Sequence, residues 1–209
     1  MPVSFLTENE RERLQRFPTE ISSGDITAFF TLAATDLTHV QKQRGAHNRL
    51  GYALQICALR YLGFSPHDIT ALPDEGVSYV SKQLRVDPSC LKLYGERMQT
   101  QSDHLQEIQA YLGFHSARQL ELQTLSRWLL DRALEHDKPS LLLQRLCEKL
   151  YQEKIIRPGI TRLEKLIATA KSQAQTETFK RVSPLLTPER KKFLDSLLAG
   201  LDHVVGHPG

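Results

Sequence analysis

Residues 37–67 contain no aspartate or glutamate, and that absence constrains the chain more than any other feature. The run carries Lys42, Arg44, Arg49 and Arg60, with His39, His47 and His67 besides. The segment before it, residues 1–36, is acidic, with Glu8, Glu10, Glu12, Glu20, Asp25 and Asp36 against Arg11, Arg13 and Arg16. From Leu50 the apolar residues fall at Leu50, Ala53, Leu54, Cys57 and Tyr61. That is the i, i+3, i+4, i+7 spacing of a helix with a buried stripe. At about 100° per residue, Arg44, Asn48, Gly51 and Gln55 share a second face. Arginine and asparagine make bidentate contacts with guanine and adenine edges, and a glycine on such a face lets another backbone come close. A local excess of bases is the electrostatic footprint of a phosphate-binding surface. The same residues also fit a plainer description, in which Gly45 ends one helix and the polar positions form a solvated face.

The net charge of +3 over 209 residues hides this asymmetry. With 40% hydrophobic and 24% charged residues, the sequence is globular rather than disordered, and long enough for one domain or two small ones. No apolar run approaches the length that spans a bilayer. Acids at positions 8, 10 and 12 break any basic-then-apolar leader pattern, so the expected location is cytoplasmic, without a membrane partner. Cys57, Cys90 and Cys147 are odd in number and widely spaced, which gives neither a disulfide framework nor a zinc pattern. Each reads as a small buried apolar residue. His203 and His207 are four apart, but Gly206 and Pro208 argue against a helix there, so no metal or other cofactor is expected.

Taken in order, the periodicity is helical throughout, and the expected fold class is all-α. Thr7 followed by Glu8, Glu10 and Glu12 reads as a helix start, and Phe17-Pro18 as its stop. Ser22-Ser23-Gly24-Asp25 opens a short helix, and Thr35 or Asp36 another. Gly63 with Pro66 closes the helix of the acid-free run. A second set begins at Pro73-Asp74-Glu75, continues from Asp87-Pro88-Ser89, and has a third helix led by Ser102-Asp103 that ends near Gly113. Longer amphipathic helices follow over residues 116–136, 141–153 and from Ile160, with Ser172 to Glu177 as a polar linker or fraying end. Thr187-Pro188-Glu189 starts a last helix, whose Phe193, Leu194, Leu197 and Leu198 form an apolar side too large for a lone tail. The expected organisation is tandem small helix-turn-helix-like modules of three to four helices, 1–67 and 73–115. A helical extension over 116–180 packs on the second module, and 181–209 begins a linker or further helical region.

Two further stretches are basic. Between Ser78 and Ser102, Lys82, Arg85, Lys92 and Arg97 outnumber Asp87 and Glu96, and Thr100 and Gln101 add hydrogen-bonding groups. From Lys138 to Lys165, seven bases face Glu148, Glu153 and Glu164, which fits a DNA-facing surface or a lysine-rich solvated helix pair equally well. No Gly-rich phosphate loop, His-Glu-x-x-His or Gly-x-Ser-x-Gly appears, so no catalysis is assigned.

The string Arg44-Gly45-Ala46-His47-Asn48-Arg49-Leu50-Gly51-Tyr52-Ala53-Leu54-Gln55 resembles the N-terminal signature of transposases of the Tn-three family, the large DDE transposases of replicative bacterial transposons. The opening Met1-Pro2-Val3-Ser4-Phe5-Leu6-Thr7 is similar to that family's start. Ile155-Ile156-Arg157-Pro158-Gly159-Ile160 and Leu186-Thr187-Pro188-Glu189-Arg190 match as well, as do Tyr94, Arg97, His104, Glu107 and Ile108. Ala46 departs from the pattern, which usually has an acid there.

The resemblance implies sequence-specific binding to double-stranded DNA at transposon terminal inverted repeats, in a bacterial protein associated with the nucleoid when bound. It also implies that the DDE carboxylates belong to a domain beyond this chain. The candidate contacts are Lys42, Arg44, His47, Asn48 and Arg49 in the first module, and Lys82, Arg85, Lys92, Arg97, Thr100 and Gln101 in the second. Arg44, Asn48 and Arg49 are the candidates for base reading and the lysines for phosphates. Self-association, or docking to a catalytic domain, is a further expected contact. The alternatives are a truncated transposase-derived regulator that occupies the same ends without cutting, and an all-α protein-interaction module that docks through the Phe193 and Leu197 face.

Overall fold

The computed structural model describes residues 5–66, 68–94 and 98–202, and the architecture is all-α. Arg97 and the His203/His207 pair lie outside the described residues, as do His67 and the first four residues. Among the described residues ten α-helices run in order: α1 Glu8–Gln15, α2 Ser23–Phe30, α3 Ala34–Gln41, α4 Ala46–Leu62, α5 Asp74–Leu84, α6 Met98–Leu112, α7 Gln119–Glu135, α8 Pro139–Gln152, α9 Ile160–Val182 and α10 Pro188–Asp202. Short 3₁₀ turns cover Ile69–Ala71, Pro88–Leu93 and Ser183–Leu185.

Local chemistry sets most helix starts. At α1 the Thr7 hydroxyl accepts from the Glu10 N–H, while the Glu10 carboxylate accepts from the Thr7 N–H at 2.8 Å. This capping box satisfies two amides that a helix start leaves open. Ser22 caps α2 through the Asp25 N–H at 3.1 Å. Asp36 in α3 reaches back to the Ala33 N–H at 2.7 Å. Pro139 and Pro188 occupy first-turn positions, where a missing N–H costs nothing.

Helix α4 is the axis of the first core. Every residue from Leu50 to Leu59 is buried, because α2, α3, α5, α6 and the Pro88–Leu93 turn enclose it on all sides. Burying side chains such as Leu50, Leu54 and Leu59 contributes about 1.5–3 kcal/mol each. This core takes side chains from both sequence segments, from Phe17 and Phe30 through Leu91, Tyr94, Ile108 and Phe114. A second core joins α7, α8 and α9 through Leu125, Leu129, Leu142, Leu146, Leu150, Leu163 and Ile167. Helix α1 lies against this second core with Phe5, Leu6 and Leu14, held by the Arg11–Glu164 ion pair at 2.6 Å.

The cores meet at the C-terminal end of α4. The Tyr151 hydroxyl donates to the Arg60 carbonyl at 2.7 Å, and the Arg157 N–H to the Gly63 carbonyl at 3.1 Å. Gly63 is left-handed at φ 71°, and a Cβ there would stand 3.0 Å from the Tyr151 ring.

Three sequence expectations are corrected. Helix α6 begins at Met98, not at Ser102-Asp103. The segment after Asp87 is a 3₁₀ turn rather than an α-helix, with Asp87 capping the Ser89 N–H at 2.8 Å. Ser172 to Glu177 is neither linker nor frayed end, because α9 runs through to Val182 with Ala170 and Ala174 still buried. Small apolar residues at four-residue spacing keep that stretch in contact where large ones are missing.

Candidate nucleic-acid interface

The turn between α3 and α4 gathers the first set of candidate residues. The N–H of Lys42, at the end of α3, bonds the His39 carbonyl at 3.3 Å, and the Gln43 N–H bonds the Val40 carbonyl at 3.0 Å. Gly45 then turns the chain with φ 84°, a backbone region that side chains avoid. A Cβ there would also sit 2.9 Å from the His47 ring. Lys42 and Arg44 are exposed, and His47, Asn48 and Arg49 are partly exposed on the first turn of α4.

The start of α4 differs from those of α1, α2 and α3. It has no side-chain cap and no acid in its first turn, whereas carboxylates stand at the first turns of the other three. Ala46 occupies the place where an acid would neutralise it. The partial positive charge of a seventeen-residue helix therefore adds to Lys42, Arg44 and Arg49 rather than being cancelled. Open N–H groups at a helix start, flanked by cations, suit an anionic oxygen.

Asn48 is not a free reader. Its Nδ2 donates to the Arg44 carbonyl at 2.9 Å, which braces the turn. An amide nitrogen has two hydrogens, so one remains for an outside acceptor. Arg49 leans across toward the Pro88–Leu93 turn. Burial pushes the Cys90 thiol up, and the nearby Arg49 charge offsets part of that. The Arg49 Nε is buried with no hydrogen-bond partner among the described residues.

The second set is divided. Helices α4 and α6 pack side by side in the same direction, since Tyr52 meets His104 at 5.1 Å while Arg60 and Tyr111 farther along both bond Asp36. Their first turns share one end of the molecule, which brings Thr100 and Gln101, both partly buried, to the end that carries Lys42 to Arg49. Lys82, Arg85 and Lys92 are exposed instead along α5 and the turn after it. Lys82 lines a groove of about 520 Å³ with Asp74 and Glu75, and Lys92 lines one of about 370 Å³ that also includes Asp74. The field around these lysines is of mixed sign. Arg85 closes α5 in the left-handed region at φ 54°.

Other parts of the sequence picture change. Gly51 and Gln55 are buried, so the face they share with Arg44 and Asn48 is open only at its first turn. Gly51 receives the Tyr94 ring. Arg60 is not a free base: it forms a buried ion pair with Asp36. Burial opposes the Asp36 charge, but hydrogen bonds from Arg60, Tyr111 and Ala33 outweigh it and hold this carboxyl below its ordinary value. In the 138–165 stretch, Arg145 pairs with Glu148 at 3.3 Å and Lys149 with Glu153 at 2.6 Å.

Sequence reasoning missed the Asp36–Arg60–Tyr111 network altogether. A second such cluster holds the buried His104 ring, whose Nδ1 meets the Tyr94 hydroxyl at 2.9 Å. Burial holds the imidazole below its ordinary pKa of 6.5. No local signal marks either cluster, because the partners stand up to 75 residues apart in the chain.

Among the described residues, no group of three His, Cys, Asp or Glu is placed to hold a metal, and no helix is long and apolar enough to cross a membrane.

Residues 5–170 match the family described as "Domain of unknown function (DUF4158)", and the chain belongs to that family. It is 35% identical over 194 residues to the transposase for transposon Tn1546 of Enterococcus faecium, a match covering 93% of this chain and 19% of that protein. It is 32% identical to the transposase for transposon Tn501 of Pseudomonas aeruginosa, with the same 93% and 19% covered. The transposase for transposon gamma-delta of Escherichia coli (strain K12) is 32% identical over 188 residues, 88% of this chain and 19% of that protein. These are Tn-three-family transposases, and the chain corresponds to their N-terminal region, about a fifth of their length.

Proposed function

We propose that this chain binds double-stranded DNA at transposon terminal inverted repeats, as the end-recognition part of a transposase. The observation that carries the reading is the uncapped, acid-free start of α4, with Lys42 and Arg44 exposed and His47, Asn48 and Arg49 on its first turn. Helix-turn-helix proteins read base edges with the N-terminal residues of their second helix. In α4 the open residues lie there, and Leu50 to Leu59 behind them are buried. Lys42 holds phosphates, and Arg44, Asn48 and Arg49 reach base edges. Thr100 and Gln101 extend the contact at the same end, while Lys82, Arg85 and Lys92 act as outlying phosphate contacts. Strand cutting and joining, in this reading, are carried out elsewhere in a longer transposase.

The test is fluorescence anisotropy with a terminal-repeat duplex and a scrambled duplex across a salt series. Tighter binding to the repeat, falling steeply with salt, supports specific recognition, because the slope counts displaced counterions. Equal weak binding to both duplexes refutes it. A second reading has its own support: Phe193 and Leu197 on α10 are 62% and 52% exposed, which favours a protein-docking face there. Light scattering with and without the duplex separates the two.

A further inference from the structure

The segment Ile156 to Leu163, most of the Ile155–Ile160 motif and the first turn of α9, forms one wall of a cavity of about 680 Å³, with Leu14 and Gln15 of α1, Phe64 and Ser65 after α4, and Leu105 and Gln109 of α6 on the other sides. Nothing in the DNA-binding reading uses it. The lining contains Arg157 and Arg162 and no acid.

Arg157 is the unusual member. Two other arginines that reach into the fold each meet a buried carboxylate, Arg11 at Glu164 and Arg60 at Asp36. Arg157 meets none among the described residues. Its guanidinium donates to the Leu14 carbonyl and stacks over the Phe64 ring, 3.8 Å from the centroid. The neighbouring Cys147 shares a side-chain hydrogen bond with it, but burial raises the thiol's pKa, so no counter-charge stands there. A partly buried cation without an anion is costly, and folded proteins normally pair it. Burial accordingly lowers the Arg157 pKa.

The same cavity receives the start of α9. Gly159 gives that helix no side-chain cap, and its first turn has no acid. The Arg162 and Leu163 N–H groups bond back to the Gly159 carbonyl, at 2.9 and 3.3 Å. The Ile160 and Thr161 N–H groups precede them, and Thr161 adds a hydroxyl.

We propose that this cavity is a binding site for a phosphate group, held between the Arg157 and Arg162 guanidiniums with the Thr161 hydroxyl and the first N–H groups of α9. Arginine forks match phosphate oxygens in pairs, and Ser65, Gln15 and Gln109 supply further donors at the rim. The chemistry is that of a phosphate ester. It serves equally for a backbone phosphate of bound DNA and for a small phosphate-bearing molecule.

The test is amide-resolved NMR of the full chain, titrated with sodium phosphate against sodium chloride of equal ionic strength. The expected result is saturable movement of the Ile160 and Thr161 N–H signals with phosphate alone. Arg162→Ala, at an exposed position, weakens that binding roughly tenfold, the loss expected of one charge-assisted contact. Arg157→Lys keeps the charge and loses the fork, and weakens it too. Should that variant fail to fold, Arg162→Ala and Thr161→Val carry the test. A random-sequence duplex that displaces phosphate from these amides identifies the DNA backbone as the source. Movement with adenosine monophosphate but none with the duplex identifies a small ligand. No saturable movement with phosphate overturns the proposal and leaves Arg157 as a strut between α1 and α4.

Discussion

Gly51→Ala tests how the Pro88–Leu93 turn is held against α4. A Cβ on Gly51 would stand 2.2 Å from Tyr94 Cγ and 2.3 Å from both Cδ atoms, inside the ring's own contact shell. To reach ordinary contact at 3.4 Å the ring must retreat by more than an ångström. Tyr94 is 2% exposed, it stacks on His104 at 5.7 Å, and its hydroxyl bonds that ring at 2.9 Å. The retreat therefore breaks a buried hydrogen bond as well as the packing. Overpacking of this kind costs about 1–3 kcal/mol, taken here at its upper end because the clash is with ring atoms. The lost bond adds about 1 kcal/mol, and the better helix propensity of alanine returns about 1 kcal/mol. The expected net destabilisation is about 3 kcal/mol, read from urea midpoints at constant slope. Combining it with Tyr94→Ala sharpens the assay, because with the ring gone Gly51→Ala becomes neutral or stabilising. Refutation is simple: a single Gly51→Ala variant within about 0.5 kcal/mol of the parent means the contact is not a constraint.

Three further outcomes are expected. Asp36→Asn leaves the Arg60 charge partly buried without its partner and costs about 3 kcal/mol. Because the Asp36 pKa is depressed on folding, its contribution is complete above 3.8 and is lost as pH falls through the lower folded value, so the variant has a flatter acid limb in a pH series of thermal melts. His104 has a folded pKa below 6.5, so the stability tied to its neutral ring is full above 6.5 and declines as pH falls further; urea midpoints drop as pH falls below 6.5, and His104→Phe removes most of that drop. On DNA, Asn48→Ala reduces preference for the repeat by roughly 1–3 kcal/mol, whereas Lys42→Ala weakens repeat and scrambled duplexes alike and lowers the salt slope by about 1; equal losses from Asn48→Ala on both duplexes contradict base reading.

What the sequence shows best is what neighbouring residues decide among themselves. Thr7 with Glu10, Ser22 with Asp25 and Gly63 all announce helix ends, because the bond or the dihedral lies within a few residues. The Lys42 to Arg49 cluster is visible for the same reason, being contiguous. Long-range packing is hidden. Gln55 has the spacing of a solvated face, and only the turn that carries Tyr94 and the helices beside it bury that face. Arg60 counts as a base in the sequence until Asp36, itself held by the distant Tyr111, pairs with it. Thr100 and Gln101 join the first set only because α6 runs alongside α4 in the same direction, a choice periodicity leaves open.

Helix α4 has its basic turn at one end and, at the other, the Tyr151 and Arg157 bonds to the second core. At 1.5 Å of rise per residue it spans about 25 Å, and buried packing along its middle keeps it straight. A straight, enclosed helix of that length ties the position of the Lys42–Arg49 tip to the second core at its far end.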